Sequence, residues 1–481
     1  MILSKLQVLS ESEIKEIHEA SLTVLEETGL LVESEELVEL LGQKGCVADT
    51  ATGIVRFPRE IVEKAIETSP PFFPLLDRNG NEFCVLGKDG CLCGSGHNAI
   101  FTPVGDGGAN GARREACLKD VYEFSVLSDK LNEIDIIGVP FSPQDVNKKT
   151  SLLYAIKQIL EVSGKPIFFS CESEEINAGA VKMSKAVLGT DDLAFRSNMI
   201  SQLSTTSPLY WERGAAKALH LIAREGMPVA FLPQPITGMT APYTLAGILT
   251  VQNIEVLSGL AITQLVRPGC PVVYACAWTT YDMKRMNVLI GRPESSLLRI
   301  AGAQMAHFYN IPSHTTAPDN DSNIYDEQAS WEKMLSTVAA ISGGNDMLMN
   351  MGMFGTGMSI SNEQLVMDNE MCRAARRFAR GIEVTPETIA ADVIRQVGPR
   401  NTYLGEEHTM DYLRSGEHVT LDLSYSGNFG NWEKDGMPKT HEAARREAGR
   451  LLAEGPSSPL DEKTTALLGA IIDEVEAIYS K

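Results

Sequence analysis

Apolar positions along this chain follow two alternating rhythms. Short, nearly continuous apolar runs are each followed by a stretch in which apolar residues recur every three or four positions. The runs are CLCGSGHNAIF (91–101), IDIIGVPF (134–141), KPIFFSC (165–171), SNMISQLST (197–205), PVAFLPQPI (228–236), PVVYACAW (271–278), IPSHTTA (311–317) and DMLMNMGMF (346–354). The stretches between and after them predict helices near 117–130, 147–163, 174–188, 211–225, 243–266, 294–309, 325–343 and 361–380. Strands too apolar to have a wet face belong in a parallel sheet covered by helices. Eight β–α units in succession predict a closed (β/α)8 barrel of the TIM type over 91–380; a long doubly wound sheet is the alternative that counting leaves open.

The flanks read differently. Ser10 and Glu13 have capping-box spacing, and Ile14, Ile17, Val24 and Leu25 then share one helical face. Further helices are expected at about 34–43 and 59–68. From Phe72 to Phe101 short strands are broken by Asn79-Gly80-Asn81 and Asp89-Gly90, which are hairpin turn signals. Residues 1–90 therefore form an expected N-terminal α+β cap. Beyond 381 the rhythm stops, and helices at about 438–454 and 460–479 predict a C-terminal helical extension over 381–481. At 481 residues the chain exceeds a bare barrel of about 250, which leaves room for both additions.

Charge and cysteines narrow the setting. The balance is 42 Lys+Arg against 63 Asp+Glu, a net charge of −21, which repels nucleic-acid phosphates but suits cationic or zwitterionic small molecules. Nine cysteines without CxxC spacing point to a reducing compartment. No signal-peptide core opens the sequence, and no apolar run approaches the roughly 20 residues of a membrane span. A cytoplasmic protein without a membrane association is expected.

In a (β/α)8 barrel the reacting groups sit at the C-terminal ends of the strands. Those ends carry His97, Phe141, Glu172, Gln202 with Thr205 and Thr206, Gln234, Trp278 with Tyr281, Asp319 with Asp321, and Phe354 with Gly355. Familiar chemistries find no anchor. GxxxxGK[ST], HExxH and GxSxG are missing, the glycine-rich GDGGANG (105–111) lacks GxGxxG spacing and reads as a βα loop, and the eight histidines show no paired-ligand spacing. Cys91 and Cys93 share one side of a strand without a third ligand nearby, so no protein-bound metal is expected. Lys165 precedes its strand and Lys284 lies well past one, which leaves a Schiff-base lyase poorly served.

A contiguous block, QPITGMTAPYTLAGILTVQNIEVLSGLAITQLVRPGCPVVYACAWTTYDM (234–283), resembles the trimethylamine methyltransferase (MttB-type) family. GRPESSLLRIAGAQMAHFYNIPS (291–313), DEQASWEKMLSTVAAISGGND (326–346), NEQLVMDNEM (362–371), RGIEVTPETIAADVIRQVGP (380–399) and the N-terminal SESEIKEIHEASLTVLEETGL are similar too, so the resemblance spans nearly the whole chain. It implies transfer of a methyl group from a methylated amine to the cobalt of a corrinoid (cobamide) carried by a separate corrinoid protein. Archaeal trimethylamine members of that family encode pyrrolysine. Here the matching segment is HTTAPDNDSN (314–323), with Asp319 at or beside that position, which implies the branch without pyrrolysine. That branch acts on quaternary amines such as glycine betaine, proline betaine, carnitine and γ-butyrobetaine.

A quaternary ammonium carries its own activation, because its methyl leaves behind a neutral amine. The implied site then needs positioning more than acid–base groups. Trp278, Tyr281 and Phe354 are the aromatics expected to face the cation. Asp319 or Asp321 is expected to offset its charge, and His97, Gln202, Thr205 or Gln234 to donate to a betaine carboxylate, with Gly355 beside them. A homo-oligomer is expected, and a catalytically silent amine-binding barrel is the alternative from another class.

Overall fold

The computed structural model describes residues 5–105 and 111–480; residues 106–110, the centre of the glycine-rich segment, lie outside the described residues. Eight strands make one parallel sheet: β1 (Leu92–Ser95), β2 (Ile137–Gly138), β3 (Ile167–Ser170), β4 (Met199–Leu203), β5 (Val229–Phe231), β6 (Val272–Cys276), β7 (Ser313–Thr316) and β8 (Met347–Met351). β8 pairs back with β1, and a bridge between Gly94 and Ile136 joins β1 to β2, so the sheet closes into a barrel. Helices α1 (Leu118–Lys130), α2 (Ser151–Val162), α3 (Glu174–Leu188), α4 (Arg213–Glu225), α5 (Leu245–Val266), α6 (Pro293–Phe308), α7 (Glu327–Ser342) and α8 (Asn362–Arg380) follow the strands in turn. The expected α/β architecture is the one observed.

Local chemistry explains why the helices start where they do. Ser173, Thr244, Asp326 and Ser361 each place a side-chain oxygen on a free amide of the first turn of α3, α5, α7 and α8. The capping box of Ser10 and Glu13 opens the helix Glu11–Glu27 as expected.

Two features of the flanks bear on the barrel. The hairpin Phe73–Leu76/Glu82–Leu86, turning at Asn79-Gly80-Asn81, packs Phe73, Leu75 and Leu86 against Phe168, Ile200, Val273 and Met347 of the bore. It plugs the strand N-terminal end, so the interior opens only at the other end. The helices Glu11–Glu27 and Arg59–Thr68 cover the outside of α5. This double coverage corrects the expectation about apolar runs. α5 is 22 residues long and apolar enough to cross a membrane by composition, and it is apolar because protein surrounds it on both sides.

The helices Thr440–Ala453 and Glu462–Tyr479 pack on α8 with α1 and on α3 with α2, respectively. Lys165, considered above for a Schiff base, lies at the plugged end. Its ammonium donates to the carbonyls of Ser128, Leu131 and Ile134 at 2.7–3.1 Å, closing the C-terminus of α1. All nine cysteines are free.

Candidate active site at the barrel mouth

The strand C-termini surround a cavity of about 550 Å³. His97, Glu172, Gln202, Thr205, Thr206, Gln234, Trp278 and Asp319 line it, as the strand-end reading expects. Leu232, Ala277 and Met353 supply apolar wall, and Asn98, Thr316 and Asn350 add polar groups. Tyr281, Phe354, Gly355, Asp321 and Phe141 are not part of this wall.

Each absentee has a structural occupation. Tyr281 sits in an antiparallel ribbon (Thr280–Asp282/Asn287–Leu289), with its hydroxyl 3.7 Å from the sulfur of Met286. Phe354 is buried edge-on against Tyr325, with ring centroids 5.5 Å apart. The Gly355 amide donates to the Ser322 carbonyl at 2.8 Å. The Asp321 carboxylate accepts from the amides of Ile290 (2.8 Å) and Gly291 (3.2 Å), and its burial raises its pKa. It ties down the loop after β6. Phe141 packs edge-on against Phe124.

Asp319 lines the cavity, but its charge is already matched. Its Oδ2 lies 2.6 Å from Nη2 of Arg299, with both side chains almost fully buried, and Oδ1 accepts from Asn350 Nδ2 at 2.8 Å. Asp319, expected to offset a substrate cation, is thus already paired with the Arg299 guanidinium. Arg299 also donates to the carbonyls of Thr316 (2.6 Å) and Ile290 (3.1 Å), which fixes the ends of β7 and of the loop after β6. A second buried pair, Lys333–Asp368 at 2.8 Å, reaches the carbonyl of Pro318 and the amide of Gly352, bracing the exits of β7 and β8.

The histidine of β1 is set by its neighbours. Gln202 donates through Nε2 to Ser170 Oγ (3.1 Å), so its carbonyl oxygen accepts from His97 Nε2 (3.1 Å). His97 Nδ1 then carries a lone pair and has no partner among the described residues. Burial lowers the pKa of His97 to about 4, so the ring is neutral near pH 7 and presents an acceptor, not the donor expected for a carboxylate. Phe168 stands between His97 and His314, 5.2 and 5.3 Å from their ring centroids. His314, fully buried in β7, has no hydrogen-bond partner on either ring nitrogen among the described residues, and burial lowers its pKa to about 3.

One donor on the wall, Trp278 Nε1, has no partner among the described residues, while the Thr205 hydroxyl lies against the buried Glu255 carboxylate. An unpartnered buried donor is uncommon and marks a position where a ligand completes the hydrogen bonding. Glu172 stands at the rim with no ion-pair partner among the described residues. Solvent reaches its outer side, while the protein around its inner side pushes its pKa up.

Asn350 and Arg299 were not among the strand-end candidates. Asn350 follows a register shift in the β8–β1 pairing between Leu348 and Met351 and adopts φ = +110°. A bulge of this kind re-aims a side chain. Its signal was a lone amide within an apolar strand. Arg299 lies mid-helix in α6 between Leu298 and Ile300, and a charged residue at a buried helical position is the corresponding clue.

Comparison with known proteins places the chain. The family model "Trimethylamine methyltransferase (MTTB)" matches residues 2–478. Trimethylamine methyltransferase MttB of Desulfitobacterium hafniense (strain DSM 10664 / DCB-2) is 32% identical, over 98% of this chain and 94% of its own length. A glycine betaine methyltransferase of Desulfitobacterium hafniense (strain Y51) is 30% identical, over 98% and 97%. Among solved structures, the monomethylamine methyltransferase MtmB of Methanosarcina barkeri superposes with a TM-score of 0.54 at 12% identity, covering 94% of this chain and 90% of that one; it shares the fold. With the match running from end to end, this chain belongs to the trimethylamine methyltransferase (MTTB) family and is a methyltransferase.

Proposed function

We propose that this protein demethylates a quaternary amine and passes the methyl group to the cobalt of a corrinoid carried by a partner protein. Glycine betaine is the first candidate; proline betaine, carnitine and γ-butyrobetaine are next. The observation that carries the reading is the charge arrangement at the mouth. The buried carboxylate Asp319 is consumed by Arg299, while the rim carboxylate Glu172 is uncompensated and faces the same cavity as the unsatisfied donor Trp278 Nε1. A zwitterion with a cationic head and an anionic tail complements both. The indole face of Trp278 would add a cation–π contact of about 0.5–2 kcal/mol.

The segment matching the pyrrolysine region offers an ion-paired aspartate, so activation has to come from the substrate. When the C–N bond of a quaternary ammonium breaks, the electron pair stays on nitrogen and a neutral tertiary amine departs. No proton is required, consistent with a neutral His97. Bound at the mouth, a reduced corrinoid would supply a low-valent cobalt able to accept the methyl group. The rim offers exposed side chains to the broad face of such a group: Met239, Tyr243, Met283 and Met286 are exposed on the loops after β5 and β6. They pack closely enough that a side chain on Gly238 would meet both Met283 and Tyr243. The chain's own part is to orient the ammonium beneath that rim and to hold the carboxylate end.

The test mixes the protein, a reduced corrinoid protein and each candidate amine, and follows the Co(I) absorption together with the demethylated product. Betaine-dependent loss of Co(I) absorption with stoichiometric dimethylglycine is expected. Binding of a betaine by calorimetry with no methyl transfer to any corrinoid protein would instead favour a silent binding protein.

A further inference from the structure

The long helix α5 carries a carboxylate in its buried middle. Glu255 lies between Ile254 and Val256 and has no exposure to solvent. Its Oε1 accepts from the Leu209 amide (2.8 Å) and its Oε2 from the Ser207 hydroxyl (2.8 Å), and the Thr205 hydroxyl lies against it. No cationic side chain pairs with it among the described residues. Buried charges are ordinarily paired, because leaving water is costly. Arg299 and Lys333, two buried cations beside the mouth, are taken by Asp319 (2.6 Å) and Asp368 (2.8 Å). Glu255 is a charge left over. Burial pushes its carboxyl up in pKa, and the donors of Leu209, Ser207 and Thr205 pull it back.

We propose, on the quaternary-amine reading above, that Glu255 positions the substrate's ammonium as a buried counter-charge, acting through the wall residues Thr205 and Ser207 without touching the ligand. Two observations carry this. The first is placement. Thr205 and Ser207, which meet the carboxylate, also line the cavity, so one layer of side chains separates the charge from the ligand space. A hydroxyl whose proton goes to Glu255 keeps its oxygen lone pairs for the other side.

The second is the field at the mouth. Glu172 and Glu255, on the β3 and β4 side, have no ion-pair partner among the described residues, and Glu212 accepts from Thr206 beside them (3.0 Å). Burial and the Glu212 charge together push the Glu172 carboxyl up. Trp278, 3% exposed, faces the same cavity with Nε1 unpartnered. The space between carries negative potential and an open hydrogen bond, which a cation with an acceptor satisfies. An interior charge reaches an ammonium several ångströms away with less screening than a rim charge does.

Calorimetric titration of the full chain with glycine betaine and with 3,3-dimethylbutanoate tests this. The second ligand has carbon in place of the ammonium nitrogen, so the pair share a shape and a carboxylate and differ by one charge. Wild-type protein is expected to prefer the betaine by about tenfold or more. Glu255→Gln should weaken the betaine about tenfold and leave the carbon isostere within about twofold. Thr205→Val, which keeps Glu255 in place, should lower the same preference about threefold. A folded Glu255→Gln protein with an unchanged preference overturns the proposal. Equal weakening of both ligands does so too, because Glu255 would then only brace the 205–209 loop. A wild-type protein without preference for the betaine also overturns it. Should Glu255→Gln not fold, an unchanged preference in Thr205→Val is the overturning result. Methyl transfer is a separate readout. Its failure with the charge preference intact would sink the methyl-transfer reading and spare Glu255, and normal transfer by Glu255→Gln with an unchanged preference would do the reverse.

Discussion

Asp319→Asn separates two roles for the carboxylate nearest the centre of the site. The substitution keeps the shape of the side chain and removes its charge. It leaves the Arg299 guanidinium, 2.6 Å away and almost fully buried, without a counter-ion. Removing one partner of a buried pair costs about 3–5 kcal/mol, because the other charge stays desolvated. Unfolding entropy of about 2.1 cal/mol/K per residue gives roughly 1 kcal/mol/K for a 481-residue chain, so the expected fall in Tm is about 3–5 °C. Arg299→Met should cost a similar amount. Arg299→Met with Asp319→Leu should recover most of the loss, since an apolar replacement of a buried pair is often neutral. Thermal melts followed by circular dichroism at pH 7 measure all four proteins. A Tm for Asp319→Asn within about 1 °C of wild type, combined with a large rise in KM, would refute the reasoning and return Asp319 to the role of substrate counter-ion.

Glu172→Gln should raise the KM for a cationic amine about fivefold to tenfold, with kcat changed less than about twofold and Tm unaffected, because the rim carboxylate has no partner to strand; steady-state kinetics check this. Stability should decline as pH falls from about 6.5 through 4. His97 and His314 hold folded pKa values of about 4 and about 3 against about 6.5 when unfolded, so the unfolded chain binds more protons in that window. His314→Phe should flatten this acid limb in Tm measured against pH, and an unchanged slope would remove His314 from the account. Lys165→Met should cost about 2–4 kcal/mol in thermal or urea unfolding with kcat/KM unchanged, since it strands three carbonyls at the plugged end, far from the mouth.

Period was the most legible property of this chain. Eight apolar runs alternating with helical spacing suffice to predict the strands and the helices, because a strand buried on both faces and an amphipathic helix have distinct spacings that no distant residue needs to supply. Closure into a barrel rather than an open sheet is shown by the pairing of β8 with β1. The same rule put His97, Glu172, Gln202, Thr205, Gln234, Trp278 and Asp319 at strand ends, where the cavity is. The roles of those residues depended on neighbours remote in the chain. Asp319 is neutralised by Arg299, one helix earlier, and His97 is turned into an acceptor by Gln202, 105 positions away. Asn350 is aimed inward by a bulge that exists only when β8 meets β1. Phe354 and Tyr281 look like site aromatics in the sequence, yet one packs on Tyr325 and the other stands on an outer ribbon. Local spacing therefore determined which elements form and which ends carry polar groups. Which charge is already satisfied, and which remains available to a ligand, is a property of pairs brought together by folding, and only the tertiary structure decided it.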